Sequence, residues 1–158
     1  MSPKKLTITQ ASIKDYVKSE IKRIDEEIDE ASAFEYIASQ QVLTQYDLDD
    51  DETARGQVGG GNDGGYDGIY IFVNENLVNG ENPDSIDVPR KAIVDFHFIQ
   101  AKYQPSLQEV VIQNWKDSFS NLINEDEPDS FRYNQDVIEH FALIKAILTN
   151  PNQPTRRR

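Results

Sequence analysis

Apolar residues recur with helical spacing in four segments of the chain and form two compact runs between them. In the first segment, from Thr9 to about Asp29, apolar side chains return every three or four positions, at Ile13, Val17, Ile21, Ile24 and Ile28. This spacing predicts an amphipathic helix. The same pattern predicts a second helix from Ser32 to about Tyr46, with Glu35 on the flank of its apolar stripe.

The later segments predict two further helices. The third begins just after Lys102, where Ser106 to Glu109 has the form of a capping box. The fourth carries Val137 to Leu148 on its apolar face and stops at Asn150-Pro151, since proline disfavours helical backbone in the residue before it.

The two compact runs have the composition of buried strands. They are Ile69 to Val73 and Ile93 to Tyr103, both rich in β-branched and aromatic residues, with turn-forming Asn, Gly and Pro between them. An antiparallel pair folded about residue 84 places Asp67 level with residue 101, between Gln100 and Lys102. The start of one strand and the end of its partner are therefore expected to meet.

The order of elements predicts the fold class. The order of two helices, two strands and two helices is typical of an α/β or α+β protein. The length of 158 residues predicts a single domain, residues 1–158. Residues 47–65 are rich in Asp and Gly without periodicity, so we expect an exposed and mobile loop there. Residues 151–158 are expected to form a flexible tail.

Charge is distributed unevenly. The net charge is −12, and residues 47–88 carry 11 acidic side chains and 1 basic one. Such a balance opposes a free-standing nucleic-acid binder, which normally presents a basic face to phosphates. The acidic excess lies around Asp67, and clustered carboxylates repel unless they are solvated or meet a cation. Most of these acidic residues are expected to lie in a solvated loop, and a few are candidate metal ligands.

Composition narrows the chemistry further. The chain has no cysteine and two isolated histidines, His97 and His140, which excludes thiol chemistry and disfavours zinc. A metal would be held mainly by oxygen, which favours Mg²⁺ or Mn²⁺. There is no membrane-length apolar run and no signal-peptide core, so we expect a cytoplasmic protein without a membrane partner.

Three side chains at the predicted strand ends fit phosphodiester hydrolysis. That reaction needs a metal to polarise the phosphate and a cation beside it to stabilise developing charge. Asp67 and Gln100 supply oxygen ligands, the backbone carbonyl of Ala101 is a further candidate, and Lys102 supplies the cation. Each signal alone also fits a plain Asp-Gly turn or a solvent-exposed lysine at a strand end.

The motif resembles that of a known nuclease superfamily. Asp63 to Ile69 resembles the G-D-x-G-x-D-G-I signature of Mrr-type enzymes in the PD-(D/E)XK superfamily, and Gln100-Ala101-Lys102 resembles their Q-x-K variant. Glu35 matches the helical Glu that this group contributes as an extra metal ligand. More narrowly, Gly64 to Asn74 followed by Phe98 to Lys102 is similar to the N-terminal region of abortive phage-infection resistance (AIPR) proteins.

The resemblance implies a fold and an activity. The fold is a restriction-endonuclease-like mixed sheet flanked by helices. The activity is Mg²⁺-dependent (or Mn²⁺-dependent) endonuclease cleavage of DNA in bacterial anti-phage defence. Glu35, Asp67 and Gln100 would hold the metal, with the Ala101 carbonyl, and Lys102 would orient water or stabilise the transition state. Asp63 is a helper. Because members of that family are much longer, further domains or a second copy are expected partners, and the chain fits an excised N-terminal domain.

Two other functions remain open at this stage. One is a catalytically weak module that binds nucleic acid or a protein on the same scaffold, with the acidic loop as its contact surface; the net charge supports this reading because it disfavours an unaided nuclease. The other is an RNase or junction-resolving nuclease, because substrate choice depends on shape rather than on this motif.

Gln100 is the departure from the commoner superfamily pattern, which has a carboxylate there. An amide oxygen can ligate Mg²⁺ but brings no negative charge, so Mg²⁺ affinity is expected to be modest. We predict that Gln100→Glu preserves or tightens Mg²⁺ binding, measured by calorimetric titration beside the unaltered protein. Weaker binding by the variant would contradict the ligand assignment.

Overall fold

The computed structural model describes residues 6–25, 27–103, 109–126, 128 and 131–152. Within them the chain forms an α+β fold of five α-helices, a short 3₁₀ helix and a three-stranded sheet. The helices are α1 (Ile8–Ile24), α2 (Glu30–Val42), α3 (Asp50–Arg55), α4 (Glu109–Asn124) and α5 (Gln135–Leu148), and the 3₁₀ helix is Thr44–Tyr46. The strands are β1 (Gly68–Val73), β2 (Asn76–Leu77) and β3 (Val94–Ile99).

Strand β1 lies at the centre of the sheet. The strand order is β2-β1-β3, and both pairings are antiparallel. All six residues of β1 are buried, which is the environment that its unbroken apolar run predicts. Successive side chains point to opposite faces of a strand, so β1 must be covered on both faces.

Helices α4 and α5 cover one face of the sheet. Ile69, Ile71 and Val73 of β1 pack there with Val137, Phe141 and Ile144 of α5 and with Leu122 of α4. Fully burying side chains of this size contributes about 1.5–3 kcal/mol each. The apolar stripes read from the sequence in the third and fourth helices thus form the main core.

The opposite face is covered by the segment that follows α2. Tyr70 and Phe72 pack with Leu43, and the rings of Tyr46 and Phe72 stack with centroids 3.7 Å apart. Helix α1 packs on α2 through Val17, Ala33 and Ile37.

The second edge of β1 is completed by a side chain. Strand β2 has only two residues, and beyond it Asn79 is 3% exposed. Its Oδ1 accepts a hydrogen bond from the Ile71 amide at 2.8 Å, and its Nδ2 donates to the Ile69 carbonyl at 2.7 Å. The Asn79 amide therefore replaces the backbone of a longer neighbouring strand.

The α+β class and the four long helices are confirmed, with shifted boundaries. The first helix ends at Ile24 rather than near Asp29, because the Asp29 side chain instead caps the start of α2. Helix α2 ends at Val42, and the predicted continuation to Tyr46 is the 3₁₀ helix.

Two sequence predictions about the region before β3 need correction. Residues 47–65 are not all loop, since a capping box between Asp49 and Glu52 starts the short helix α3. The β1–β3 register is displaced by one residue from the prediction: Gly68 pairs with Ile99, so Asp67 lies level with Gln100 rather than with residue 101. The physical reason is β2, whose pairing with β1 shapes the connection that was assumed to be a simple fold about residue 84.

Some predicted features lie outside the described residues. They are Ser106 to Gln108 of the third helix's capping box and residues 153–158 of the predicted tail. Among the helices that the structure describes, none combines the length and apolar character needed to cross a membrane.

Gly68 lets α2 approach the start of β1. A Cβ at this position would lie 2.8 Å from Tyr70 Cε2 and 3.2 Å from Ser39 Oγ. We predict that Gly68→Ala lowers the free energy of unfolding by about 1–3 kcal/mol, because overpacking forces neighbouring groups to shift. Urea denaturation measures the change.

Gly59→Ala is the matched control for this prediction. No atom lies within 4 Å of a Cβ built at Gly59, so its effect should stay within about 1 kcal/mol. Equal stability of the two variants would show that the close approach at Gly68 is not a constraint.

Candidate active site

Asp67 lies immediately before β1 and is held by the end of β3. Its amide donates to the Ile99 carbonyl at 2.9 Å, and its Oδ2 accepts from the Ala101 amide at 2.7 Å. The side chain is buried, with the residue 6% exposed. The carboxylate is therefore fixed between the two strands by backbone contacts, and one oxygen, Oδ1, has no hydrogen bond within the described residues.

Gln100 and Lys102 follow β3 and line the same cleft. The cleft has a volume of about 380 Å³ and is bounded on one side by Asp63, Gly64 and Gly65 and on the other by residues of α4. The shared lining agrees with the alternation of an extended chain, in which residues two apart lie on the same side.

A tight turn before Asp67 forms the near wall of the cleft. Asp63 Oδ1 accepts from the Gly65 amide at 2.8 Å. Gly64 and Gly65 have φ values of 69° and 89°, which residues with a Cβ seldom adopt. A Cβ at Gly64 would also lie 3.2 Å from Ser118 Cβ. The two glycines therefore let the turn lie close to α4, where it forms one wall of the cleft.

Glu35 reaches the site from α2. One turn later on that helix, Ser39 lies against Gly68, so the helix passes close to the strand end where Asp67 begins. Burial and the negative charge of Asp67 raise the pKa of Glu35 from its ordinary value of 4.5 to about 7, while the Lys102 ammonium opposes the shift. No hydrogen bond or ion pair is formed by the Glu35 carboxylate within the described residues.

Asp67 is destabilised in its charged form as well. Burial raises its pKa, and the neighbouring Asp63 adds to this effect. The Ala101 amide and the positive charge of Lys102 act in the opposite direction without cancelling it. The site thus holds two carboxylates whose negative charge is under-compensated by the protein.

The donor set fits a hard cation in part. Two carboxylates that burial and mutual repulsion disfavour as anions would gain from a divalent ion, and the Gln100 amide is a neutral oxygen donor. Among the described residues, however, no group of three or more His, Cys, Asp and Glu side chains is arranged to hold a metal. A cation here would depend on Glu35, Asp67 and uncharged oxygens.

The structure brings most of the predicted residues into one region. Asp67 and Lys102 both influence the pKa of Glu35, and Gln100 and Lys102 line one cleft with Asp63. Neither Glu35 nor Asp67 lines that cleft, and Glu35 approaches Asp67 from α2. For Ala101, the contact that the structure shows is through its N–H rather than its carbonyl.

Four residues in the cleft were missed by the sequence reading. They are Asn114, Ser118, Arg132 and Tyr133. Asn114 and Ser118 follow Val111 at helical spacing of three and four, a signal that polar positions interrupt the apolar face of α4. Arg132 lies within 5.5 Å of the Tyr133 ring centroid, and no sequence pattern indicated that it reaches the same cleft as Lys102.

Trp115 and the histidines lie outside the candidate site. Trp115 packs against Tyr66 and Phe98, as a core aromatic should, and its Nε1 is buried without a partner within the described residues. His97 is packed in β3 against Tyr46 and Phe72.

Comparison with known proteins identifies no relative. No family model matches the chain, and neither the curated proteins nor the solved structures contain one that is significantly similar to it.

The raised pKa of Glu35 predicts a pH dependence of stability. Between about pH 4.5 and 7 the native state holds a proton that the unfolded chain has already released, so rising pH lowers the free energy of unfolding. We predict that Glu35→Gln flattens this dependence and stabilises the protein more at pH 8 than at pH 5.

Thermal or urea unfolding at a series of pH values measures this effect. Glu81→Gln, at an exposed carboxylate outside the site, is the matched control and should keep the wild-type profile. A parallel shift of the Glu35→Gln curve at every pH would contradict the prediction.

Proposed function

We propose that this chain is a metal-dependent endonuclease domain that hydrolyses phosphodiester bonds of DNA. The observation that carries the proposal is the electrostatic arrangement at the strand ends. The Ala101 amide holds the Asp67 carboxylate at the strand ends, burial and the charge of Asp67 raise the pKa of Glu35, and the positive charge of Lys102 acts on both carboxyl groups. Two under-compensated carboxylates beside a lysine are the combination that phosphoryl-transfer sites require.

Glu35, Asp67 and the Gln100 amide oxygen would hold Mg²⁺ or Mn²⁺. When bound, such an ion polarises the phosphate and lowers the pKa of water. The protein's own contribution is positional: the Ala101 amide fixes one oxygen of Asp67 and leaves the other for a ligand. Gly68 brings α2, and with it Glu35, to the same place.

Lys102 supplies the fixed positive charge. It forms no ion pair within the described residues. It nevertheless lies near enough to Glu35 and Asp67 to oppose the rise in the pKa of each. An ammonium without a permanent partner in a polar cleft is free to contact a phosphate oxygen. There it would stabilise charge that develops as the bond breaks, or orient the attacking water.

The biological setting follows from the motif resemblance alone. Asp63 to Ile69 with Gln100 to Lys102 resembles the site of Mrr-type and AIPR proteins, so we propose a role in bacterial anti-phage defence. The net charge of −12 opposes tight unaided binding to duplex DNA, which is why we include a further domain or a second copy among the partners.

A second candidate is a nucleic-acid-binding module without catalysis. It is favoured by the absence, among the described residues, of three grouped side chains of the types that usually ligate metals. The two functions make opposite predictions for cleavage in the presence of metal.

We predict that Lys102→Ala and Asp67→Asn each lower the rate of Mg²⁺-dependent cleavage by on the order of 10²-fold or more, since each removes a charge from the reacting centre. The assay is nicking or linearisation of supercoiled plasmid with Mg²⁺, Mn²⁺ or EDTA, with single-stranded DNA and RNA as further substrates. Lys22→Ala, which removes an exposed lysine from the last turn of α1, is the matched control and should retain full activity.

Retained cleavage in the Lys102→Ala variant, or equal cleavage in EDTA, would refute the assignment. Binding of DNA without cleavage under every metal condition would favour the second candidate. Cleavage of RNA in preference to DNA would correct the substrate.

A further inference from the structure

Two depressions of the surface meet at Lys102. One is the polar cleft described above. The other, which we call the aromatic groove, has a volume of about 240 Å³ and lies between α1, α2 and the segment after β3. Its lining includes Gln10, Ile13, Lys14, Phe34, Lys102 and Tyr103. Because Lys102 belongs to both linings, a ligand that contacts this lysine can extend into either depression.

Two aromatic rings line the aromatic groove. The rings of Phe34 and Tyr103 are in contact, with centroids 5.2 Å apart and planes at 41°. The Tyr103 hydroxyl donates to Glu30 at 3.1 Å, which fixes the ring at the edge of the groove. Flat aromatic surfaces of this kind accept planar ligands without a large entropic cost.

The charge of the groove contrasts with that of the whole chain. Its charged lining residues are Lys14 and Lys102, and no acidic residue of the described chain lines it, although the net charge is −12. On the far side of Lys102, the polar cleft adds the guanidinium of Arg132. Three cations, Lys14, Lys102 and Arg132, therefore line the two depressions that meet at Lys102.

We propose that the aromatic groove binds an unpaired base of single-stranded DNA whose neighbouring phosphate lies at Lys102. The inference deepens the proposed function and rests on it, because the site at Asp67 gives the phosphate its place. Stacking on Phe34 and Tyr103 would hold the base, and Lys14 would contact the next phosphate along the strand. Single strands are bound in this way, by aromatic side chains combined with basic residues.

A duplex does not meet the same requirements. Its bases are stacked in pairs and offer no free face to a groove, and an enzyme that reaches one must first extrude it from the helix. The aromatic groove is also concave and small, whereas a duplex presents a convex, regularly charged backbone. The groove therefore selects a nucleotide that is already unpaired.

The test is fluorescence anisotropy with a labelled single-stranded DNA of twelve nucleotides and a duplex of the same sequence, in EDTA so that no cleavage occurs. Wild type should bind the single strand more tightly than the duplex. Tyr103→Leu should weaken single-strand binding about tenfold by removing the stacking surface, whereas Tyr103→Phe should retain it. Tyr16→Leu, which removes an exposed aromatic of α1 outside the groove, is the matched control.

A second variant tests the phosphate contact without altering the core. Lys14→Gln should reduce the slope of log affinity against log salt concentration by about 0.7 for the single strand. Lys22→Gln removes the same charge from the last turn of α1, outside the groove, and should leave the slope unchanged. If Tyr103→Leu fails to fold, as circular dichroism would show, Lys14→Gln still decides the matter.

Two outcomes would overturn the inference: equal or tighter binding of the duplex by wild type, and unchanged single-strand binding in Tyr103→Leu or Lys14→Gln. Failure of the proposed catalysis has a different signature. In that case Lys102→Ala and wild type would both be inactive in the plasmid assay with metal, while single-strand binding in EDTA would still depend on Tyr103.

Discussion

The burial of β1 on both faces is the constraint on which the rest of the structure depends. A strand with no exposed residue must have apolar partners above and below it and hydrogen-bond partners along both edges. Helices α4 and α5 supply one face, the segment around Leu43 and Tyr46 supplies the other, and β3 with Asn79 completes the edges. The candidate site lies where this buried strand begins, so Asp67 is buried with it, while Glu35, Gln100 and Lys102 are half-buried.

Those surroundings determine the electrostatics of the site. A carboxylate removed from water loses solvation worth several kcal/mol, and it stays charged only where partners replace that solvation. Asp67 has one backbone amide and a nearby lysine, yet its pKa remains raised, and Glu35 is in a similar position. A cation at the strand end would therefore stabilise the charged forms of Glu35 and Asp67. Two buried or half-buried carboxylates are enough to produce this effect, without a large acidic cluster.

Much of this arrangement could be predicted because it depends on local pattern. The unbroken apolar run from Ile69 to Val73 indicated a strand buried on both faces, and the flank position of Glu35 on its helix placed that residue near the core. The register could not be predicted, because β2 and the buried Asn79 alter the connection after β1. Arg132 was missed for a similar reason: only the packing of α4 and α5 against the sheet brings it to the cleft.

The side-chain amide of Asn79 also affects how the protein meets other molecules. An unprotected strand edge is a template to which a strand of another chain can add, leading to sheet extension or aggregation. At Ile69 and Ile71 the backbone positions that such a strand would use are already occupied by one buried amide. At these two positions β1 therefore offers no free backbone group to an added strand, although its neighbour β2 has only two residues.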